Sequence, residues 1–130
     1  MKKNILNILA MVSLFIFGGC EAVGTNTATH TRISPAQAIE MMAQDNVIII
    51  DVRNQAEFDG GHIPNAVLLP VSEIELKANE VIPDKDMIVL VYCRSGARSS
   101  NAAGILAGMG FTAVYDFGGI LSWPGEISIN

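Results

Sequence analysis

The sequence predicts an α/β domain, an open parallel sheet flanked by helices on both faces. Two apolar runs, Val47 to Ile50 and Met87 to Tyr92, are rich in β-branched residues and read as strands covered on both sides. Helix-start signatures alternate with such runs, and the connections are short, which favours parallel strands joined by helical crossovers. The 130 residues suit one domain, and half of them are apolar, enough for one buried core.

The apolar residues are unevenly placed. Met1-Lys2-Lys3 leads into a run from Ile8 to Phe17 that only Ser13 interrupts, followed by Gly18-Gly19-Cys20. A basic start, a short apolar core and a small-residue exit describe a secretory signal over residues 1–19, too short for an ordinary spanning helix. Lys2 and Lys3 argue against a buried helix of the domain. Gly18-Gly19-Cys20 resembles the lipobox of bacterial lipoproteins, in which the Cys is lipidated and becomes the new N-terminus, although Phe17 stands where Leu is usual. Cleavage without lipid is the alternative. The expected location is the bacterial cell envelope, as a lipoprotein facing the periplasm or as a soluble periplasmic protein.

Residues 20–32 read as a lipidated or flexible tether. Glu21 to Thr31 has almost nothing to bury, and His30 within it reads as a solvated linker residue. Without residues 1–19 the chain carries six Lys and Arg against thirteen Asp and Glu, a net charge of −7. Such a surface repels nucleic acid and anionic head groups. Any membrane attachment would therefore come from acyl chains.

The domain is expected over residues 33–127. Ser34-Pro35-Ala36-Gln37 combines an N-cap Ser, a Pro at the first helical position and a capping-box Gln. Val47 to Ile50 is the first expected strand. Asn54-Gln55-Ala56-Glu57 opens a short second helix that Gly60-Gly61 would end. Val67 to Leu69 is a short strand, and Ser72-Glu73-Ile74-Glu75 is expected to cap a third helix fading near Asn79. Met87 to Tyr92 is the strongest strand signal. A loop from Cys93 to Arg98 then leads to a helix from about Ser99 to Gly108. Ala113 to Phe117 is the last strand, with a short helical tail through Trp123. In open parallel sheets ligands bind beyond the carboxyl ends of the strands, which is where Cys93 stands.

The segment Cys93-Arg94-Ser95-Gly96-Ala97-Arg98-Ser99-Ser100 carries the chemistry. Running from a central strand into a helix, its successive N–H groups can turn inward around an anion, and the helix start adds positive potential. Gly96 permits a bend that a side chain would oppose. Arg94 and Arg98 add two cations. A thiol so placed loses its proton easily, and the thiolate is the nucleophilic form. If Cys20 is acylated, Cys93 is the lone thiol of an exported domain, either deeply buried or kept for its reactivity.

This loop resembles the active-site loop of the rhodanese family in its single-domain, thiosulfate-sulfurtransferase-like form. Three other stretches agree in order: Asp51-Val52-Arg53 with Glu57-Phe58, then Gly61-His62-Ile63-Pro64-Asn65-Ala66, and Gly118-Gly119 followed by Trp123. The resemblance implies that Cys93 takes the outer sulfur of a small anionic donor such as thiosulfate as a persulfide and passes it to cyanide or a thiol. It implies donor binding by Arg94 and Arg98. It implies persulfide stabilisation by the N–H groups of Arg94, Ser95, Gly96, Ala97, Arg98 and Ser99. No metal or organic cofactor is implied.

Asp51, Arg53 and Glu57 read as structural support. Arg53 and Glu57, four apart and opposite in charge, are expected to pair, and Asp51 is expected to receive N–H groups near the loop. His62 and Trp123 read as scaffold. The rival readings are a phosphatase, an inactive rhodanese-like binding module, and a persulfide or thiol-redox relay. Tyrosine and Cdc25-type phosphatases place five residues between Cys and Arg, whereas four separate Cys93 from Arg98. Inactive modules usually lack the Cys. The relay differs mainly in its acceptor.

Overall fold

The computed structural model describes residues 29–129; the expected signal segment and Cys20 lie outside the described residues. Five strands form one sheet in the order β1-β5-β4-β2-β3, every pair parallel. The strands are β1 Thr31–Arg32, β2 Val47–Asp51, β3 Val67–Leu68, β4 Ile88–Cys93 and β5 Ala113–Gly119. The helices are α1 Pro35–Met42, α2 Gln55–Asp59, α3 Ile74–Val81 and α4 Ala97–Gly108. The chain leaves β2 toward β3 on one side and resumes at β4 on the other. The carboxyl ends of β2 and β4 therefore border the switch point where α/β sheets bind ligands.

Strand β4 alternates strictly. Val89, Val91 and Cys93 enter a cluster with Leu69, Ile74, Ala102 and Leu106, beneath α3 and α4. Leu90 and Tyr92 enter a second cluster with Ala38, Ile63 and Phe117 on the other face. A two-residue period on a strand buried on both sides thus delivers the thiol to the α3–α4 face.

Both capping boxes form as the sequence leads one to expect, Ser34 with Gln37 and Asn54 with Glu57. The third does not. Val71–Glu73 make a 3-10 turn directly after Pro70, which places Ser72 inside the turn, and α3 starts at Ile74 without a side-chain cap. Helix α4 starts two residues before the expected Ser99, because Gly96, at φ 112°, takes the N-cap position.

The amino-terminal boundary also moves. Thr31–Arg32, expected in the tether, pair with Tyr115 and Asp116 as the edge strand β1. His30, expected to be solvated, is half-buried, with its ring 3.8 Å from where a Cβ on Gly104 would stand. Two exposed polar residues give no periodic signal, so only pairing reveals such a strand.

A buried polar network ties the two sheet faces to the switch point. The Tyr92 hydroxyl donates to Asp51 at 2.7 Å and accepts from the Ile63 N–H at 3.0 Å. Burial, then the Asp51 bond, push the phenol pKa up, so it stays protonated. Tyr92→Phe leaves a buried carboxylate and a buried N–H each short of a partner. A loss of roughly 2–4 kcal/mol is expected, read as a lower urea midpoint; an unchanged midpoint would mean the hydroxyl holds nothing together.

Candidate active site

The site is built on three chain segments that meet at the carboxyl end of β4. The first is the end of β2. The Asp51 carboxylate accepts the Arg53 N–H at 2.9 Å and the Arg53 guanidinium at 2.7–3.1 Å, in addition to Tyr92. Arg53 also donates to the Gly61 carbonyl at 2.7 Å, fixing the Gly61-His62-Ile63-Pro64 turn. The expected Arg53–Glu57 pair is absent. Arg53 precedes the extended N-cap Asn54, so the two residues never share a helical face, and Arg53 folds back onto Asp51. The N–H group that Asp51 accepts is that of Arg53, beside the Arg53 guanidinium and the Tyr92 hydroxyl.

Glu57 pairs instead with Arg98 of α4, in a two-pronged bond at 2.8 Å on each arm. This hydrogen bond, against some burial and with help from the Asn54 N–H, brings the Glu57 carboxyl down to about 2. The Arg98 charge is thereby largely offset, and the guanidinium braces α4 against α2. His62 stacks on Phe58 with ring centroids 3.8 Å apart, and its Nδ1 bonds the Phe58 carbonyl at 3.0 Å. Trp123 packs on Phe117. Both contacts are those of scaffold.

The second segment is the loop itself. Cys93 is 1% exposed, and the Gly96 N–H donates to its Sγ at 3.0 Å. Burial alone raises the thiol pKa. The polar groups of Ser99 and the N–H groups of Gly96 and Ser95 around the sulfur outweigh burial, and the pKa falls below the ordinary value. The groups that lower the thiol pKa most are those of Ser99, Gly96 and Ser95 rather than the two arginines. Ser95, Gly96 and Ser99 therefore surround the sulfur, Ala97 opens α4, Arg98 braces that helix through Glu57, and Arg94 lines the cleft.

The third segment is the end of β5, and it explains the Gly118-Gly119 pair. Val91 lies opposite Asp116 but Cys93 lies opposite Gly119, so β5 carries one extra residue across this step. Gly118 absorbs the bulge at φ 91°. A Cβ on Gly119 would stand 2.1 Å from the Arg94 carbonyl oxygen, so only glycine lets the strand touch the loop. The Leu121 N–H then donates to that same carbonyl at 3.2 Å.

Two residues of the site were not singled out from the sequence. Asp116 is buried and accepts from the Ser99 hydroxyl at 2.7 Å and from the Gly118 N–H at 2.9 Å. A charged residue inside the apolar run of β5 was the available signal, since such a residue is buried only with partners. Arg32 reaches Asp116 from β1. A cleft of about 380 Å³ opens beside the loop, lined by Arg53, Glu57, Arg94, Ile120, Leu121 and Ile127. A larger hollow of about 670 Å³ near Met42, Asn46 and Trp123 shares no residue with the loop.

Two measurements follow from this geometry. The rate of Cys93 alkylation by iodoacetamide, followed against pH, should show a midpoint below the ~8.5 of a free cysteine; a midpoint at or above it would remove the loop's effect on the sulfur. For Glu57 the folded pKa is depressed, so its stabilisation is present above the unfolded value of ~4.3 and is lost as pH falls toward about 2. Glu57→Gln keeps the capping box but lacks the charge. It should cost about 1 kcal/mol at pH 7 and should lose less stability than wild type between pH 5 and 2. Parallel urea midpoints in the two proteins would contradict the pairing.

Comparison with known proteins agrees with this geometry. The family profile of the rhodanese-like domain matches residues 34–126. A sulfurtransferase of Allochromatium vinosum is 40% identical over 80 residues, spanning 61% of this chain and 73% of that protein. The thiosulfate sulfurtransferase GlpE of Coxiella burnetii is 34% identical over 95 residues, 72% of this chain and 87% of that protein. The solved structure of a rhodanese with anions from E. coli superposes with a TM-score of 0.62 at 31% identity, covering 65% of this chain and 99% of that one. With most of its length matched and the four sequence motifs gathered around one loop, the chain belongs to the rhodanese-like family.

Proposed function

We propose that this domain is a thiosulfate-type sulfurtransferase that carries sulfur as a persulfide on Cys93. The carrying observation is a buried thiol whose Sγ receives an amide hydrogen bond at the start of a helix. The Cys93 thiolate attacks the outer sulfur of thiosulfate; the S–S bond of the donor breaks, and sulfite leaves with its electron pair. The new terminal sulfur is anionic, so the same inward N–H groups that favour the thiolate also favour the persulfide. Cyanide or a thiolate then attacks that terminal sulfur, departs with it, and returns Cys93 to the thiolate.

Arg94, at the rim of the cleft, meets the anionic donor. Arg98, held by Glu57, contributes chiefly by keeping α4 and the loop in place. The proximity of Ile120, Leu121 and Ile127 suits an acceptor with an apolar portion beside its thiol. No step calls for a metal or an organic cofactor, because the sulfur travels on the enzyme. Export and lipidation at Cys20 belong to the same proposal and rest on the sequence of residues 1–20 alone; mass spectrometry of the mature N-terminus tests them.

Thiosulfate:cyanide transfer measured on wild type and Cys93→Ser decides the reading. Wild type should turn over and gain 32 Da on Cys93 after exposure to thiosulfate, while Cys93→Ser should fall to background. Arg94→Ala should raise KM for thiosulfate about tenfold, the worth of one charge-assisted contact, with a smaller effect on kcat. Equal rates in wild type and Cys93→Ser, or hydrolysis of phosphate esters by the wild type, would overturn it.

A further inference from the structure

Arg32 lies on the edge strand β1, ahead of the matched span 34–126. Its guanidinium donates to the Asp116 carboxylate at 3.2 Å. Its other terminal nitrogen, Nη2, stands 3.2 Å from where a Cβ would project at Gly96 and the same distance from where one would project at Gly118. Both glycines have positive φ, 112° and 91°. One guanidinium thus occupies the space left by the two missing side chains, against the residue whose N–H donates to Cys93 and against the bulge that seats the loop on β5.

The carboxylate it meets is 1% exposed and is tied to the same loop. One Asp116 oxygen accepts the Ser99 hydroxyl and the Gly118 N–H; the other accepts Arg32. Of the other cations near the loop, Arg98 is closed on Glu57 and Arg53 on Asp51, while Arg94 lines the cleft. Without Arg32 the buried Asp116 charge would keep only two neutral donors. It would repel a thiolate on the adjacent strand.

We infer that Arg32 is a positioning residue for this site: it balances the buried Asp116 carboxylate and lies against Gly96 and Gly118, so that the Gly96 N–H stays directed at Cys93. The inference rests on the reading of Cys93 as the sulfur carrier. The Arg32 side chain is 61% exposed, so its ion pair adds little to folding by itself. Its loss is felt at the sulfur rather than in the core.

The test uses the full chain as wild type, Arg32→Ala, Arg32→Lys and the double variant Arg32→Ala with Asp116→Asn. Asn keeps an oxygen for Ser99 and Gly118 while removing the charge. Iodoacetamide alkylation of Cys93 is followed against pH, with urea midpoints to show that each variant is folded. Arg32→Ala should move the alkylation midpoint up by about half to one pH unit, slowing the reaction at pH 7 about three- to tenfold, because each unit changes the thiolate fraction tenfold. Arg32→Lys should recover most of the rate, and the double variant should return to within about twofold of wild type. An unmoved midpoint in Arg32→Ala, or a shift that Asp116→Asn leaves in place, overturns the inference. A wild type that alkylates at the lowered midpoint yet gains no 32 Da from thiosulfate overturns the sulfur-transfer reading alone, and the alkylation series still decides the role of Arg32.

Discussion

An anionic sulfur buried at 1% exposure is costly unless donors replace the water it gives up. The carboxyl end of β4 supplies them from the backbone. The turn into α4 points the N–H groups of Ser95, Gly96 and Ser99 at one atom, and the positive φ of Gly96 makes the turn tight enough to do so. The rest of the site serves this arrangement. The Asp51–Arg53–Tyr92 network anchors the floor, the Glu57–Arg98 pair anchors the helix, and the bulged end of β5 anchors the loop from the side.

The division of labour among the charges runs against a simple electrostatic picture. This is an acidic chain with few cations, and a positively charged loop in it suggests that the arginines ionise the thiol. Each of Arg32, Arg53 and Arg98 is bound to a carboxylate, and the carboxylates of Asp51 and Asp116 are buried. Their charges go into fixing backbone, while the partial charges of peptide dipoles act on the sulfur. Fixed dipoles suit the proposed persulfide carrier, whose charge would move outward by one S–S bond on loading, since a ring of amides can serve both positions without rearranging.

The sheet and most helices were legible because their signals are local. Val47 to Ile50 and Met87 to Tyr92 are apolar enough to demand burial on both faces, and the Ser34 and Asn54 caps are satisfied within three residues. The loop was legible for the same reason, being eight consecutive residues. What escaped depends on partners distant in sequence. Arg53 chose Asp51 over Glu57 because the helix begins after it. Glu57 and Arg98 meet across 41 positions, and Arg32 and Asp116 across 84. The Gly118-Gly119 pair was visible as a motif, but its cause, a bulge that brings β5 into contact with Arg94, exists only once the register is known.

Stability and reactivity occupy different parts of this domain, and the separation follows from the topology. The two apolar clusters lie on opposite faces of the sheet and account for its cohesion. Gly96, Gly118, the bulge and the ion pairs of Arg32, Arg53 and Arg98 gather around the carboxyl end of the sheet. Strand β1 is two residues long and exposed, so it adds little to the core. Its Arg32 guanidinium nonetheless lies against Gly96 of the loop and Gly118 at the end of β5. A strand that buries neither of its residues thus reaches the turn that carries Gly96, a contact that burial alone would not rank.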